Sequence, residues 1–147
     1  MLDKSLIGHE FPPRFTDVEK GQLRFFAKAT GETNPVYFDE DAARAAGHPN
    51  LPAPPTFLFS LEQLAPDPMG VLGVLGVDIG NVLHGEQQFT YMKQIYADDR
   101  IKLACRISDI YDKKGGALEF IVQDTTAENQ HGETVGLART ITVVRNG

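Results

Sequence analysis

The stretch Phe26-Ala27-Lys28-Ala29-Thr30-Gly31-Glu32-Thr33-Asn34-Pro35-Val36-Tyr37 marks where a helix ends and a proline-braced turn begins. Gly31 supplies a residue that closes a helix in the left-handed region without a Cβ penalty. Asn34-Pro35 then holds the chain out of helix, because proline disfavours the α region at the residue before it. Glu32, Asn34 and Tyr37 are thereby set on a turn just past the helix. Polar residues in such turns commonly bond the local backbone, so Glu32 and Asn34 read as turn formers as well as site residues. Tyr37 reads either as a packed aromatic with a satisfied hydroxyl or as a site group.

Upstream, Thr16-x-x-Glu19 has the capping-box pattern, which predicts a helix over residues 18–30. Val18, Gln22, Phe25, Phe26 and Ala29 fall on one stripe, placing both phenylalanines against a sheet. Downstream, Asp39 caps a short alanine-rich helix ending at Gly47. The proline block from Pro49 to Pro55 leads into a helix from Thr56 to Ala65, with proline in its first turn and Phe57, Leu58, Leu61, Leu64 and Ala65 recurring at helical spacing. Met69 to Leu83 is apolar but interrupted by Gly70, Gly73, Gly76 and Gly80, a density that predicts an irregular loop. From Leu83 onward the chain changes to β-formers. The segments Leu83–Met92, Arg100–Tyr111, Ala117–Thr126 and Val135–Val144 predict four antiparallel strands joined by polar and glycine-rich turns, and Phe11–Thr16 predicts a further one. The fold class is α+β.

A chain of 147 residues suits one domain, 1–147, with one core. A net charge of -6 without a basic cluster argues against nucleic acid as a partner. With one cysteine, Cys105, there is no internal disulfide, and no Cys/His group has metal-site spacing, so neither a metal nor another cofactor is expected. Cys105 itself reads as a small core residue in a strand. The N-terminus lacks a basic region followed by an apolar run, and no stretch approaches the ~20 apolar residues of a membrane span, which points to a cytoplasmic protein without a membrane anchor. His48, in a proline-flanked loop, and His131, in a turn, are expected at the surface. His84 and Glu86 alternate with Gly85 and Gln87, so both are expected on one face of a strand: an acid–base pair if that face meets ligand, ordinary solvated side chains if it meets water.

Position by position, the stretch from Phe26 to Tyr37 resembles the signature of the MaoC-like (R)-specific enoyl-thioester hydratases, Phe/Tyr-Ala-x-x-Ser/Thr-Gly-Asp-x-Asn-Pro-x-His. Asp39–Gly47, Leu51–Phe57, His84–Tyr91 and Ala97-Asp98-Asp99 extend the likeness, in order, to the branch related to fungal fatty-acid-synthase dehydratase domains. The resemblance implies a hot-dog fold, a long central helix wrapped by a curved antiparallel sheet. It also implies a fatty acyl thioester of coenzyme A or acyl carrier protein as ligand. Interconverting (3R)-hydroxyacyl and trans-2-enoyl thioesters needs an acid and a base around one water, and an N–H donor to polarise the carbonyl. Here Glu32 stands at the family's Asp, Tyr37 at its His, and Pro55, which has no N–H, at the glycine of its oxyanion hole, while Thr56 donates only if the register moves. The departures resemble the non-catalytic half of mycobacterial (3R)-hydroxyacyl-carrier-protein dehydratase heterodimers, whose other subunit carries Asp and His. On that likeness Pro55, Thr56, Phe57, Phe59 and the Gly70–Gly80 loop contact the acyl chain.

Three readings stay open. One is an acyl-binding subunit, homodimeric or paired with an Asp–His-bearing MaoC-like partner. Another is a self-sufficient hydro-lyase using Glu32 with Tyr37, or His84 with Glu86. The last is a non-enzymatic acyl-CoA binding module, or a hot-dog thioesterase. Exposed sheet edges favour pairing between chains in each case.

Overall fold

A computed structural model describes all 147 residues. Five strands form one antiparallel sheet: β1 (Arg14–Asp17), β2 (Val82–Tyr91), β3 (Arg100–Lys113), β4 (Leu118–Glu128) and β5 (Thr134–Arg145), in the spatial order β1-β3-β4-β5-β2. The four long strands follow the β-rich segments of the sequence to within a few residues. Four helices, α1 (Lys20–Ala29), α2 (Glu40–Ala45), α3 (Phe57–Leu64) and α4 (Gly70–Leu75), complete the α+β hot-dog architecture. The central helix α3 lies against the inner face of the sheet, where Leu58 packs within 3.2 Å of where a Cβ on Gly136 would sit. It spans eight residues, shorter than the expected Thr56–Ala65.

Several local expectations give way to tertiary structure. The capping box does not form: Thr16 and Asp17 pair with Ile101 and Arg100 in β1–β3, so α1 starts at Lys20, and its N-cap Glu19 makes no side-chain cap bond. On α1 the buried residues are Leu23 and Ala27, and Phe26 packs on the core beside Phe57. Phe25 instead is 76% exposed. The early strand is displaced from Phe11–Thr16 to Arg14–Asp17, although the Phe11 N–H still donates to Cys105 O.

The glycine-punctuated stretch is not wholly irregular. Gly70–Leu75 is a helix closed by Gly76 at φ 65°, and Val71 and Leu72 are buried. Their burial against the sheet outweighs the poor helix propensity of the glycines. Pro55 lies outside α3, before an N-cap, Thr56, that has the left-handed φ of 72°. A β-branched residue in that region is strained, by about 1–3 kcal/mol. No helix is long and apolar enough to cross a membrane.

Candidate functional site

The turn after α1 is closed by its own side chains. Glu32 Oε1 accepts from the N–H groups of Thr33 (3.0 Å) and Asn34 (3.2 Å), and Asn34 Oδ1 accepts from Val36 N–H at 3.2 Å. Both residues therefore spend acceptor capacity on the backbone, as Asx-type turn residues do. Of the three motif positions, only Tyr37 reaches the neighbouring pocket. That pocket, about 320 Å³, is lined among others by Tyr37, Ala53, Pro55, Leu58 and Tyr91.

The start of α3 forms the pocket's other wall. The Thr56 N–H, the amide next to the N–H-less Pro55, donates to the Tyr91 hydroxyl at 2.8 Å, and the Phe57 N–H donates to Pro54 O at 3.2 Å. Partial burial pushes the Tyr91 phenol above its ordinary pKa, opposed by the Thr56 N–H, so the hydroxyl keeps its proton. Tyr91 occupies the end of β2, the last position of the His84–Tyr91 segment, where the likeness assigned it no role. Phe57 is 2% exposed and belongs to the apolar core, so it does not line this pocket.

His84 and Glu86 do not share a face. His84 pairs with Thr142 and Glu86 with the adjacent Ile141, because a bulge at Gly85 breaks the alternation. Paired residues share a face and successive residues alternate, so His84 turns to the inner face with Thr142 and Glu86 to the outer one. The bulge needs glycine: a Cβ on residue 85 would come within 2.7 Å of Val143 Cγ2 and 3.0 Å of Ile141 O. Glu86 accepts from Gln88 Nε2 at 2.5 Å on that outer face. His84 stands edge-on to Phe59, with ring centroids 5.2 Å apart, and the two line a separate cavity of about 170 Å³ between α3, the start of α4 and the sheet.

Glu62 also lines that cavity, and it is 7% exposed. Leu58, Leu61, Glu62 and Ala65 are buried at helical spacing, so its place on the apolar stripe was legible as a charged residue where an apolar one is usual. Burial pushes its carboxyl above the ordinary range, with the Thr125 hydroxyl and the Arg14 charge opposing. Cys105 is buried as expected, and burial raises its thiol pKa. His131 is exposed, whereas His48 is half-buried, its Nδ1 3.2 Å from the Tyr96 hydroxyl. No group of His, Cys, Asp and Glu side chains is arranged to hold a metal.

Residues 5–137 match the family described as FAS1-like, dehydratase domain region. The chain is 37% identical over 150 residues to a UPF0336 protein of Streptomyces coelicolor, covering 98% of this chain and 95% of the relative. It is 35% identical over 145 residues to a UPF0336 protein of Saccharopolyspora erythraea, covering 98% and 92%. Among solved structures it is similar to the HadBC (3R-hydroxyacyl-ACP dehydratase) complex of Mycobacterium tuberculosis, with a TM-score of 0.77, 27% identity and coverage of 94% and 96%. A MaoC-like dehydratase superposes with a TM-score of 0.84 at 24% identity, this chain spanning 43% of that longer one, a likeness of fold alone.

Proposed function

The chain belongs to the FAS1-like dehydratase-domain family, among the hot-dog hydratases and dehydratases, and from that premise we propose that it is the acyl-binding, non-catalytic half of a (3R)-hydroxyacyl-thioester dehydratase. One observation carries the proposal: every group expected to do chemistry at the α3 pocket is absent or already engaged. Glu32 accepts two backbone N–H groups, Tyr37 replaces the base, Pro55 has no N–H, and the Thr56 N–H is held by Tyr91. A phenol is a far poorer general base than the imidazole it replaces. Without a working base the pocket binds a thioester but does not activate water.

The similarity to the HadBC complex supports an assembly with a second, Asp–His-bearing MaoC-like subunit, the present chain contributing the surface that holds the fatty chain of a coenzyme A or carrier-protein thioester. A self-sufficient hydro-lyase is favoured by one observation only, that the Tyr37 and Tyr91 side chains line the same pocket. Following the enoyl-thioester absorbance of crotonyl-CoA and of a longer enoyl-CoA with the purified chain decides between them. No hydration by the chain alone, with hydration restored beside an Asp–His subunit, is the expected result. Turnover by the isolated chain that survives removal of trace hydratases overturns the non-catalytic reading. Thioester binding without turnover in any pairing leaves a binding module.

A further inference from the structure

The core is divided. A cluster of 16 buried residues that includes Leu23, Phe57, Leu61, Leu103 and Val135 lies on one side, and a cluster of 7 that includes Val71, Leu72, Ile107, Ile121 and Val144 on the other. Between them runs a polar seam whose register can be read across the sheet. Cys105 pairs with Thr125, Gln123 with Thr140, Thr140 with Gln87, and Thr142 with His84. Glu62 reaches the cavity over this seam from α3, with Arg14, Gln123, Thr140, Thr142 and His84 among its other lining residues.

Hydrogen bonding inside the seam is incomplete in a specific way. Thr140 donates to Gln87 Oε1 at 2.8 Å, and Arg14 spends a guanidinium N–H on the Glu62 backbone carbonyl at 3.1 Å rather than on the carboxylate. That leaves Glu62 Oε2 and Gln87 Nε2 buried without a partner. Buried polar atoms are rarely left so, because an unmade bond forfeits the hydration the group gave up on burial. One orphan is a carboxyl oxygen and the other an amide donor. Of the two, Glu62 lines the cavity and Gln87 does not; a hydroxyl can donate to the Glu62 oxygen, and a methylene cannot.

We propose that this cavity receives a hydroxyl-bearing segment of the acyl group, with Glu62 as the residue that selects it. The inference rests on the acyl-binding reading and deepens it, from a fatty thioester to one oxygenated along its chain. At ~30 Å³ per water-sized group, about 170 Å³ holds five or six such groups. The space therefore suits one segment of a chain and not a whole long acyl group. Apolar Val71, Leu72 and Val82 supply the methylene-binding part of the wall, and Met69 and Pro68 its rim. A site built to bond a substrate hydroxyl rejects the analogue lacking it far more strongly than an apolar pocket rejects an extra methylene, because its own polar atoms are then left unpaired.

Calorimetric titration of the full chain with dodecanoyl-CoA and with hydroxydodecanoyl-CoA isomers carrying one hydroxyl in the distal half tests this. At least one hydroxylated isomer is expected to bind about tenfold tighter or more than the plain thioester. Glu62→Leu should abolish that preference, and Glu62→Gln should retain part of it. Equal binding of plain and hydroxylated thioesters overturns the inference alone. Failure of every thioester to bind removes the acyl-binding reading and this inference with it. The wild-type comparison decides the matter even if Glu62→Leu does not fold.

Discussion

Two of the cavities that meet α3, the one at its start and the one under Glu62, differ in how their polar groups are used. At its N-terminal end, the expected carboxylate and backbone donor are taken: Glu32 and Asn34 bond their own turn, and Tyr91 holds the Thr56 N–H. Beneath its C-terminal half, away from the Phe26–Tyr37 signature, Glu62 keeps a buried, unpartnered oxygen. A family signature thus locates a site without guaranteeing its chemistry. Free hydrogen-bonding capacity is what a ligand meets, and here it has moved some residues along the same helix.

The largest effect is expected where both regions share support. Phe57→Ala removes a 2%-exposed ring at the first turn of α3 and should cost about 3–5 kcal/mol in chemical denaturation, loosening both cavities at once. A loss confined to thioester binding, with stability intact, would show that Phe57 lines the pocket after all. Gly85→Ala tests the device that separates His84 from Glu86. The added Cβ meets Ile141 O and Val143, so a loss of about 1–3 kcal/mol by the same assay is expected, together with weaker binding at the seam. If the variant is as stable as the wild type, the bulge is not what divides the two faces.

Tyr91→Phe sharpens the contrast from the closed side. Removing the hydroxyl leaves the Thr56 N–H free in a solvent-accessible pocket, and about 1 kcal/mol of stability should be lost while binding to the seam is untouched. Glu62→Gln sharpens it from the open side, through pH. The folded-state pKa of Glu62 is raised above the ordinary 4.5, so the native state holds the proton longer than the unfolded chain. Its favourable contribution is full below that value and is lost as pH rises through the raised folded pKa. Melting curves should therefore show the variant gaining on the wild type as pH rises above 4.5, with the difference levelling off beyond the folded pKa. A difference independent of pH would mean that Glu62 titrates normally. The smallest effect belongs to Glu32→Gln, which keeps an acceptor for the Thr33 and Asn34 amides: stability should change by less than ~0.5 kcal/mol and thioester binding not at all. A large loss of hydration activity in this variant would restore Glu32 as a working acid or base.

Local chemistry determined much of this protein by itself. The Gly31 and Asn34-Pro35 punctuation, the four β-rich runs and the apolar stripe of α3 are short-range signals sufficient for an α+β class, while the hot-dog arrangement and an acyl-thioester ligand were what the resemblance of the Phe26–Tyr37 stretch implied. Features that depend on distant partners were decided by the tertiary structure alone. The Thr16 capping box yielded to strand pairing with Ile101, and the glycine-rich stretch became helical because Val71 and Leu72 are buried in a core built by later strands. One extra residue at Gly85 inverted the facing of everything beyond it, which period-two alternation cannot anticipate. The engagement of Thr56 N–H by Tyr91 joins residues 35 positions apart, and the polar seam joins four strands and a helix. Hydrogen bonds of that reach are set by which side chains the folded sheet brings together, and composition and spacing carry no record of them.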